Sequence, residues 1–375
     1  MNYLQTDRRR LRFESLKERR DRVFIDKDRI MPDSAPEPLG EYQSALMDET
    51  VERIVQAREA GAARMLAFGA HAIKNGLGPI LQQLLREGWL THLATNGAGI
   101  IHDWEFAFQG HTSEHVEENV GQGRFGMWQE TGYYLNLAQI IGAYKGMGYG
   151  EAVAALTEHE GLEIPAEHSL RREIAQLMDL DANRAAAALD LLGAIQRFEL
   201  SAGWAAVSHP YKDYALQAAA YQGGIPFTGH PMIGHDIIYL HPMNHCAAIG
   251  RTAQTDFLVF AKGVENISGG VYLSVGSAVM SPMIFEKAMS MAQNRAIQQG
   301  KRIHDHYIAV VDLVKSHWDW TQGEPPETNP DYYLRYNKSF SRMGGIMRYM
   351  SLDNRDFFLH LAQRLHARHT EGDAS

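Results

Sequence analysis

Cysteine is almost absent from this chain, which has one, Cys246, in 375 residues. A single cysteine excludes an intrachain disulfide framework and fits a reducing compartment. Long hydrophobic runs are also missing, since no uncharged apolar stretch is long enough to span a bilayer and no signal-peptide pattern precedes the charged N-terminal segment. We therefore expect a cytoplasmic protein that does not bind membranes.

An excess of positive charge is missing too. The net charge is −9 and the pI is about 6.0, which argues against a general nucleic-acid binder. The N-terminal arm, residues 8–22, is locally basic, but Glu14, Glu18 and Asp21 are interleaved with its arginines. This pattern predicts a charged helix that is solvated or that clasps a neighbouring subunit.

The stretch from Met65 to Glu105 organises the rest of the chain. It reads as a strand, a glycine-bearing turn, a helix, a second strand and a second glycine-bearing turn. A βαβ unit of this kind places the loops at the strands' carboxyl ends side by side, and in open α/β sheets ligands bind in that crevice. The search for a ligand site therefore begins here.

Strand and helix patterns alternate again after about residue 200, including predicted strands at Ala205–Ser208, Phe257–Phe260 and Val271–Val275. Such alternation predicts an α/β fold with a Rossmann-like, doubly wound, mostly parallel sheet. We predict an N-terminal arm and helix over residues 1–60 and one Rossmann-like domain over 61–375. Within that domain we expect a long loop at 110–126 and a helical insertion at about 127–200.

Three turns follow apolar strands and are made of small residues. Glycine lets backbone amides approach a pyrophosphate or a ribose, and a following helix N-terminus favours an anion. None of the turns matches the G-x-G-x-x-G fingerprint, so ordinary strand-ending glycines remain the alternative to a nucleotide crevice. The candidate cofactor residues are Gly69, Ala70, His71, Thr95, Asn96, Gly97, Ala98, Gly99, Gly276 and Ser277.

A histidine-rich run from Gly229 to Cys246 contains ligand types that first-row metals accept. Its spacing matches no standard zinc pattern, and Pro242 interrupts any shared helix face, so we favour a substrate-orienting loop over a metal site and predict no metal. Asp236 is its best candidate for holding a cationic group, beside His235. The alternative for Asp236 is a helix N-cap.

The segment from Asp319 to Lys338 mixes carboxylates with aromatic rings. This mixture suits a flexible cation, which needs both a counter-charge and a π surface. A solvated loop would usually carry fewer large rings.

Four stretches give the chain a resemblance to the deoxyhypusine synthase family. They are GAHAIKNGLGPILQQLLREGWLTHLATNGAGIIHD, GIPFTGHPMIGHDIIYLHP, GGVYLSVGSAV and PDYYLRYNKSF. The resemblance implies a Rossmann-like NAD domain at the three small-residue turns, a homo-oligomer (a dimer or a tetramer), and a polyamine substrate dehydrogenated by NAD.

The same resemblance implies roles for single residues. It makes Lys338 a catalytic lysine that carries the substrate's aminoalkyl group as an imine before transferring it, with Asp236 as a substrate-binding aspartate and Asp331, Tyr332 and Tyr336 around the amine. A lysine must be neutral to form this imine, and Tyr332, Tyr333 and Tyr336 are expected to supply apolar walls that disfavour its charge. The chain departs from the family at Met280-Ser281-Pro282, where the family has a Lys-His-His, and at Ile101-His102-Asp103, where it has an acidic Glu-Glu-Asp.

A second resemblance comes from Ile100-Ile101-His102-Asp103-Trp104-Glu105. This stretch is similar to the NAD-binding half of LOR/SDH, or ornithine cyclodeaminase-type, proteins. It implies an amino-acid substrate as the alternative to a polyamine. A non-catalytic regulatory protein that binds a nucleotide is the third possibility.

Overall fold

A computed structural model of the protein describes residues 3–373, with side chains described up to residue 370. The chain divides into two compact units, each built from three separate segments. Unit 1 comprises Met1–Lys27, Ile100–Ala218 and Pro231–Asp256, and unit 2 comprises Asp28–Gly99, Ala219–His230 and Phe257–Ser375. Among the described residues, no helix is both long and apolar enough to cross a membrane.

The described residues form ten strands: β1 (Asp21–Phe24), β2 (Arg64–Phe68), β3 (His92–Asn96), β4 (His111–Glu114), β5 (Gly161–Ile164), β6 (Gly203–Ala206), β7 (Phe227–His230), β8 (Val271–Val275), β9 (Tyr307–Asp312) and β10 (Ile346–Ser351).

They also form fifteen α-helices: α1 (Ile25–Asp28), α2 (Glu41–Glu59), α3 (Ala70–Lys74), α4 (Gly78–Arg86), α5 (Gly97–Gln109), α6 (Val116–Gly121), α7 (Gln129–Lys145), α8 (Tyr149–His159), α9 (Glu167–Leu180), α10 (Ala182–Phe198), α11 (Leu216–Gln222), α12 (Cys246–Val264), α13 (Met280–Gln298), α14 (Arg335–Ser341) and α15 (Asn354–Asp373). Short 3₁₀ turns lie at Arg8–Arg10, Leu16–Glu18, Lys212–Tyr214, Ile237–Leu240, Trp320–Gln322 and Pro330–Tyr333.

Unit 2 contains a six-stranded sheet in the order β10-β9-β8-β2-β3-β7, and every neighbouring pair is parallel. Read from its other edge and renumbered along the chain, this order is 3-2-1-4-5-6, that of the Rossmann fold. The predicted α/β, Rossmann-like, mostly parallel sheet is therefore confirmed.

The central strands β2 and β8 are buried along their whole length. Their nearly continuous apolar sequences, RMLAF and VYLSV, are typical of parallel strands covered on both faces. On one face, the rings of Tyr272 and Phe285 stack 3.9 Å apart, within an apolar cluster that includes Phe260 and Phe340. This packing holds the sheet's central strands in place.

Unit 1 is mostly helical and includes α7 to α10, which lie in the range 129–198. That the segment at about 127–200 is an insertion into a Rossmann-like domain stays a prediction. Two small antiparallel sheets, β1-β4 and β5-β6, complete it. Residues 110–126 are not one long loop, because β4 and α6 lie within them.

The N-terminal arm differs from the predicted charged helix. Residues 8–24 form two 3₁₀ turns followed by β1. The reason is that Arg19 is drawn into the interior of unit 1, where its guanidinium donates two 2.7 Å hydrogen bonds to Glu105 and lies 2.6 Å from Asp21 Oδ1. An extended backbone allows this contact, whereas a regular helix would keep the arginines on a solvated face.

Two predicted strands also have other structures. Residues 257–260 belong to α12, a 19-residue helix. The predicted strand Ala205–Ser208 overlaps the end of β6, which pairs antiparallel with β5 rather than joining the parallel sheet. A short apolar run is compatible with a strand or with a buried helix turn, and periodicity alone does not distinguish the two.

Candidate functional site

The carboxyl edge of the sheet in unit 2 has a topological switch point between β2 and β8. From β2 the chain proceeds to β3 and β7 on one side, and it later returns to β8, β9 and β10 on the other. In open α/β sheets the crevice outside such a point is where ligands bind. The turns after β2 and β8, both predicted as cofactor sites, lie at this point.

The first and third turns come unusually close together. A Cβ atom on Gly69 would lie 2.1 Å from the carbonyl oxygen of Gly276, and Gly69 N donates to Val275 O at 3.1 Å. Gly276 has a φ of +59°, and a Cβ there would lie 2.5 Å from Asn354 Nδ2. Only glycine fits both positions, so these residues allow a close backbone approach at the switch point.

The second turn, after β3, leads directly into α5. Thr95 is fully buried and donates its hydroxyl to Phe68 O at 2.9 Å, which ties the end of β3 to the end of β2. Asn96 Oδ1 accepts from Gly99 N at 2.9 Å, as a side chain that caps a helix does. A Cβ on Gly99 would lie 2.2 Å from Thr95 Oγ1. Gly97 and Ala98 begin α5 between these fixed residues.

The remaining cofactor candidates lie in the segments that follow β2 and β8. Ala70 and His71 open the five-residue helix α3, and burial together with the nearby Lys74 lowers the pKa of His71. Ser277 is buried, and its hydroxyl accepts from Ser281 N in the first turn of α13 at 3.2 Å. All ten candidates therefore lie at the carboxyl ends of three adjacent strands of unit 2.

NAD is the cofactor that the resemblance implies, and the residues of this edge suit it in outline. The glycine turns bring the ends of β2 and β8 together, and α5 begins at the same edge, where its N-terminal amides favour a pyrophosphate. One feature differs from the usual dinucleotide site: the last residue of β3 is Asn96, where a carboxylate commonly binds the ribose.

Lys338, the predicted imine lysine, lies on α14 in unit 2. Its Nζ is 2.7 Å from Glu324 Oε1 and 3.2 Å from the centre of the Tyr332 ring. Partial burial acts to lower the pKa of Lys338, but the hydrogen bonds and charges of Glu324 and Tyr332 outweigh it, so the pKa is raised. The predicted apolar wall of tyrosines that would favour a neutral amine is not what surrounds this side chain.

The other predicted substrate residues of unit 2 have partners of their own. Asp331 Oδ2 accepts from Ser316 Oγ, His317 N and Trp318 N at 2.7 to 3.0 Å, and so holds a turn of the loop after β9. The Tyr336 hydroxyl is 3.4 Å from that of Tyr349. Their substrate-binding roles stay predictions.

Asp236 lies in unit 1, at the N-terminal side of the 3₁₀ turn Ile237–Leu240, with no capping hydrogen bond from its side chain. Its Oδ2 atom is buried and has no hydrogen-bond partner among the described residues. Burial raises the pKa of Asp236 to about 6, although the exposed His235 beside it acts in the opposite direction. A buried oxygen without a donor is the feature expected of a group that binds a cation.

Two tyrosines accompany Asp236, and neither was among the candidate site residues. Tyr149 is fully buried and Tyr239 is partly buried, and in both the hydroxyl has no partner within the part of the chain described. After burial, the Asp236 carboxylate is the next largest influence that raises the pKa of each phenol. Because their positions are 90 residues apart in sequence, only the fold associates them.

The histidines of the 229–246 run are distributed rather than clustered. His241 Nδ1 accepts from Met243 N at 3.0 Å, and its Nε2 lies 3.3 Å from Gln129 Oε1. His245 lies 3.7 Å from Asp190. Among the side chains described, up to residue 370, no three of histidine, cysteine, aspartate or glutamate are grouped closely enough to hold a metal ion.

No family model matches the chain, and no curated protein matches it either. Solved structures do resemble it. Unliganded AgrE has a TM-score of 0.42 at 14% identity, over 88% of this chain and 34% of AgrE. A putative LOR/SDH protein from Methanococcus maripaludis S2 has a TM-score of 0.43 at 12% identity, over 90% of this chain and 74% of that protein.

A third similar structure is apo ArgZ, an arginine dihydrolase from the ornithine-ammonia cycle in cyanobacteria. It has a TM-score of 0.38 at 14% identity, over 86% of this chain and 33% of ArgZ. The chain thus spans about a third of the length of AgrE and of ArgZ.

Proposed function

We propose that this chain binds NAD at the switch point of unit 2 and uses it in a redox reaction on a small amino acid or a related amine. The observation that carries the proposal is the parallel 3-2-1-4-5-6 strand order with glycine turns at both central strands. The ornithine and NAD+ of the AgrE ternary complex belong to these two classes, but the proposal rests on this chain's own residues.

Each part of the edge has a task in this proposal. Gly69 and Gly276 let the ends of the two central strands meet at the switch point, and the first turn of α5 provides amide donors for the charge of the pyrophosphate. Bound NAD supplies a hydride acceptor for a carbon that carries an amine. The residues of the chain bind and orient the two reactants.

An amino acid is favoured over aminoalkyl transfer because of Lys338. Only a neutral lysine attacks an imine carbon, and the contacts of Lys338 with Glu324 and Tyr332 stabilise its charged form. The transfer reaction implied by the deoxyhypusine synthase resemblance therefore remains the second candidate. Asp236, with its buried and unpartnered oxygen, stays the candidate for an ammonium group.

Calorimetric titration of the full chain with NAD tests the proposal. Ala98→Glu places a carboxylate in the first turn of α5, where it suits the helix but repels a pyrophosphate, so NAD affinity should fall by at least about tenfold. Ala182→Glu makes the same change in the first turn of α10 and should leave NAD affinity unaltered. Absence of NAD binding by the unmodified protein would overturn the proposal.

The redox step needs its own measurement. The protein is incubated with NAD and a panel of basic amino acids and polyamines, and NADH absorbance is followed. Turnover of an amino acid without turnover of polyamines would support the proposal. If NAD binds but no amine is oxidised, and no imine is reduced when NADH is supplied, the regulatory nucleotide-binding protein becomes the better description.

A further inference from the structure

The ribose end of the proposed cofactor site is formed by uncharged side chains. In dinucleotide folds a carboxylate about 20 residues beyond the first turn, at the end of the neighbouring strand, commonly accepts the ribose 2′-hydroxyl. The equivalent strand here is β3, which pairs with β2 on the side away from β8 and ends at Asn96. Because Asn96 Oδ1 already accepts from Gly99 N, its NH₂ group remains the part available to a ligand.

The next strand, β7, extends this uncharged edge. Its last residue, His230, pairs in register with Asn96. His230 is only 7% exposed, and its Nε2 lies 3.0 Å from Thr228 Oγ1. The same hydroxyl lies 3.0 Å from His92 Nε2, and both imidazoles pack edge-on against Phe260 at 5.4 Å.

This packing keeps His230 neutral. Burial lowers the pKa of His230 to about 3, and burial with the neighbouring His230 lowers that of His92 to about 3 as well. Neither imidazole carries a charge near neutral pH, so the edge formed by Asn96 and His230 offers hydrogen bonds without a net charge.

Charge decides which nucleotide such an edge accepts. A carboxylate at the end of β3 selects NAD because it binds the free hydroxyl and repels a 2′-phosphate. An amide does neither strongly, and its NH₂ group can donate to a hydroxyl oxygen or to a phosphate oxygen. We infer that the Asn96 and His230 edge makes the cofactor site permissive for a 2′-phosphate, so that this chain binds NADP and NAD with comparable affinity.

The inference rests on the proposed cofactor site. Titration of the full chain with NADH and with NADPH distinguishes failure of the inference from failure of the proposed function. Comparable affinity means dissociation constants within about tenfold of each other. Asn96→Asp restores a carboxylate and keeps a good helix cap, so NADPH should bind at least about 30-fold more weakly while NADH binds as tightly as before or more tightly. Asn294→Asp, the same charge change at an exposed position of α13, should alter neither constant.

Two results would overturn the inference while leaving the cofactor site itself intact. One is unmodified protein that binds NADH but binds NADPH more than about 100-fold more weakly. The other is an Asn96→Asp variant that loses affinity for both nucleotides equally, which would place Asn96 away from the ribose. If neither nucleotide binds the unmodified protein, the proposed function fails together with the inference.

Discussion

At the scale of single residues, the protonation of Lys338 decides between two chemistries. The sequence predicts a lysine among aromatic rings, which suits a depressed pKa, but it does not show that Glu324 folds back across 14 positions onto the amine. Tyr333, which was expected to help form an apolar wall, is 75% exposed. Side-chain pairing of this kind depends on loop conformation, which composition alone does not determine.

We predict that Lys338 reacts slowly as a nucleophile near neutral pH because Glu324 stabilises its charged form. Reductive methylation followed by peptide mass spectrometry should label Lys338 more slowly than Lys287, an exposed lysine beside Glu286. Glu324→Gln removes the counter-charge and should raise the labelling rate of Lys338 several-fold, since its pKa falls.

Glu286→Gln is the matched control, because it removes the equivalent carboxylate from Lys287 and should leave Lys338 unchanged. Faster labelling of Lys338 than of Lys287 in the unmodified protein would show a neutral amine. That result would favour the covalent imine reaction over the proposed amino-acid reaction.

The candidate site shows a similar division between what sequence does and does not reveal. The three small-residue turns are predicted from the sequence, because a glycine after an apolar run marks the end of a strand. The mutual contact of Gly69 and Gly276, 207 positions apart, is not, because it depends on which strands become neighbours. The same holds for the association of Tyr149 and Tyr239 with Asp236.

At the scale of elements, strands bounded by glycine were predicted well and short apolar runs were not. The bounds of β8 are those predicted, because a five-residue apolar run ends there at Gly276. Phe257–Phe260 has no such boundary and continues the apolar stripe of α12 instead. Clear termination signals, rather than hydrophobicity, separate the two cases.

The conformation of the N-terminal arm, residues 8–24, depends on one buried cluster of charges formed by Arg19, Asp21 and Glu105. We predict that Arg19→Met lowers the free energy of unfolding by about 3–5 kcal/mol, because Glu105 and Asp21 would be left buried without their counter-charge. Denaturant unfolding of the full chain, followed by circular dichroism, measures the change. Part of the loss should be recovered when Glu105→Gln and Asp21→Asn are added to Arg19→Met.

Arg9→Met provides the comparison for this prediction. Arg9 pairs with Asp7 at 2.8 Å, but its side chain is 73% exposed, and solvent-exposed ion pairs contribute little to stability. Equal effects of the two substitutions would contradict a structural role for the buried cluster.

At the scale of the whole molecule, a contiguous reading of the chain does not reveal how the units are composed. Each unit is assembled from three segments of the chain. Along the sequence, the helical residues of unit 1 lie between segments that contain the strands of unit 2. Alternation of strands and helices predicts a parallel sheet. It does not specify that β2 lies at the centre beside β8, which is what creates the switch point.

The last prediction concerns self-association, which the resemblance and the alanine-rich helices both favour. On α9 and α10 in unit 1, Met178, Leu180 and Leu189 are 67%, 82% and 57% exposed. Apolar side chains that stay exposed on neighbouring helices occur at protein interfaces. Light scattering coupled to gel filtration should therefore report a mass of at least twice 42.1 kDa at micromolar concentration.

Paired substitutions locate the interface. Leu180→Glu with Leu189→Glu should yield a 42.1 kDa monomer, because association would bury the two introduced carboxylates in the interface without counter-charges. Met283→Glu with Met291→Glu introduces the same charges on α13 in unit 2, where these side chains are also exposed, and should leave the mass unchanged. A monomer in the unmodified protein would rule out self-association, and dissociation by the α13 pair alone would move the interface to unit 2.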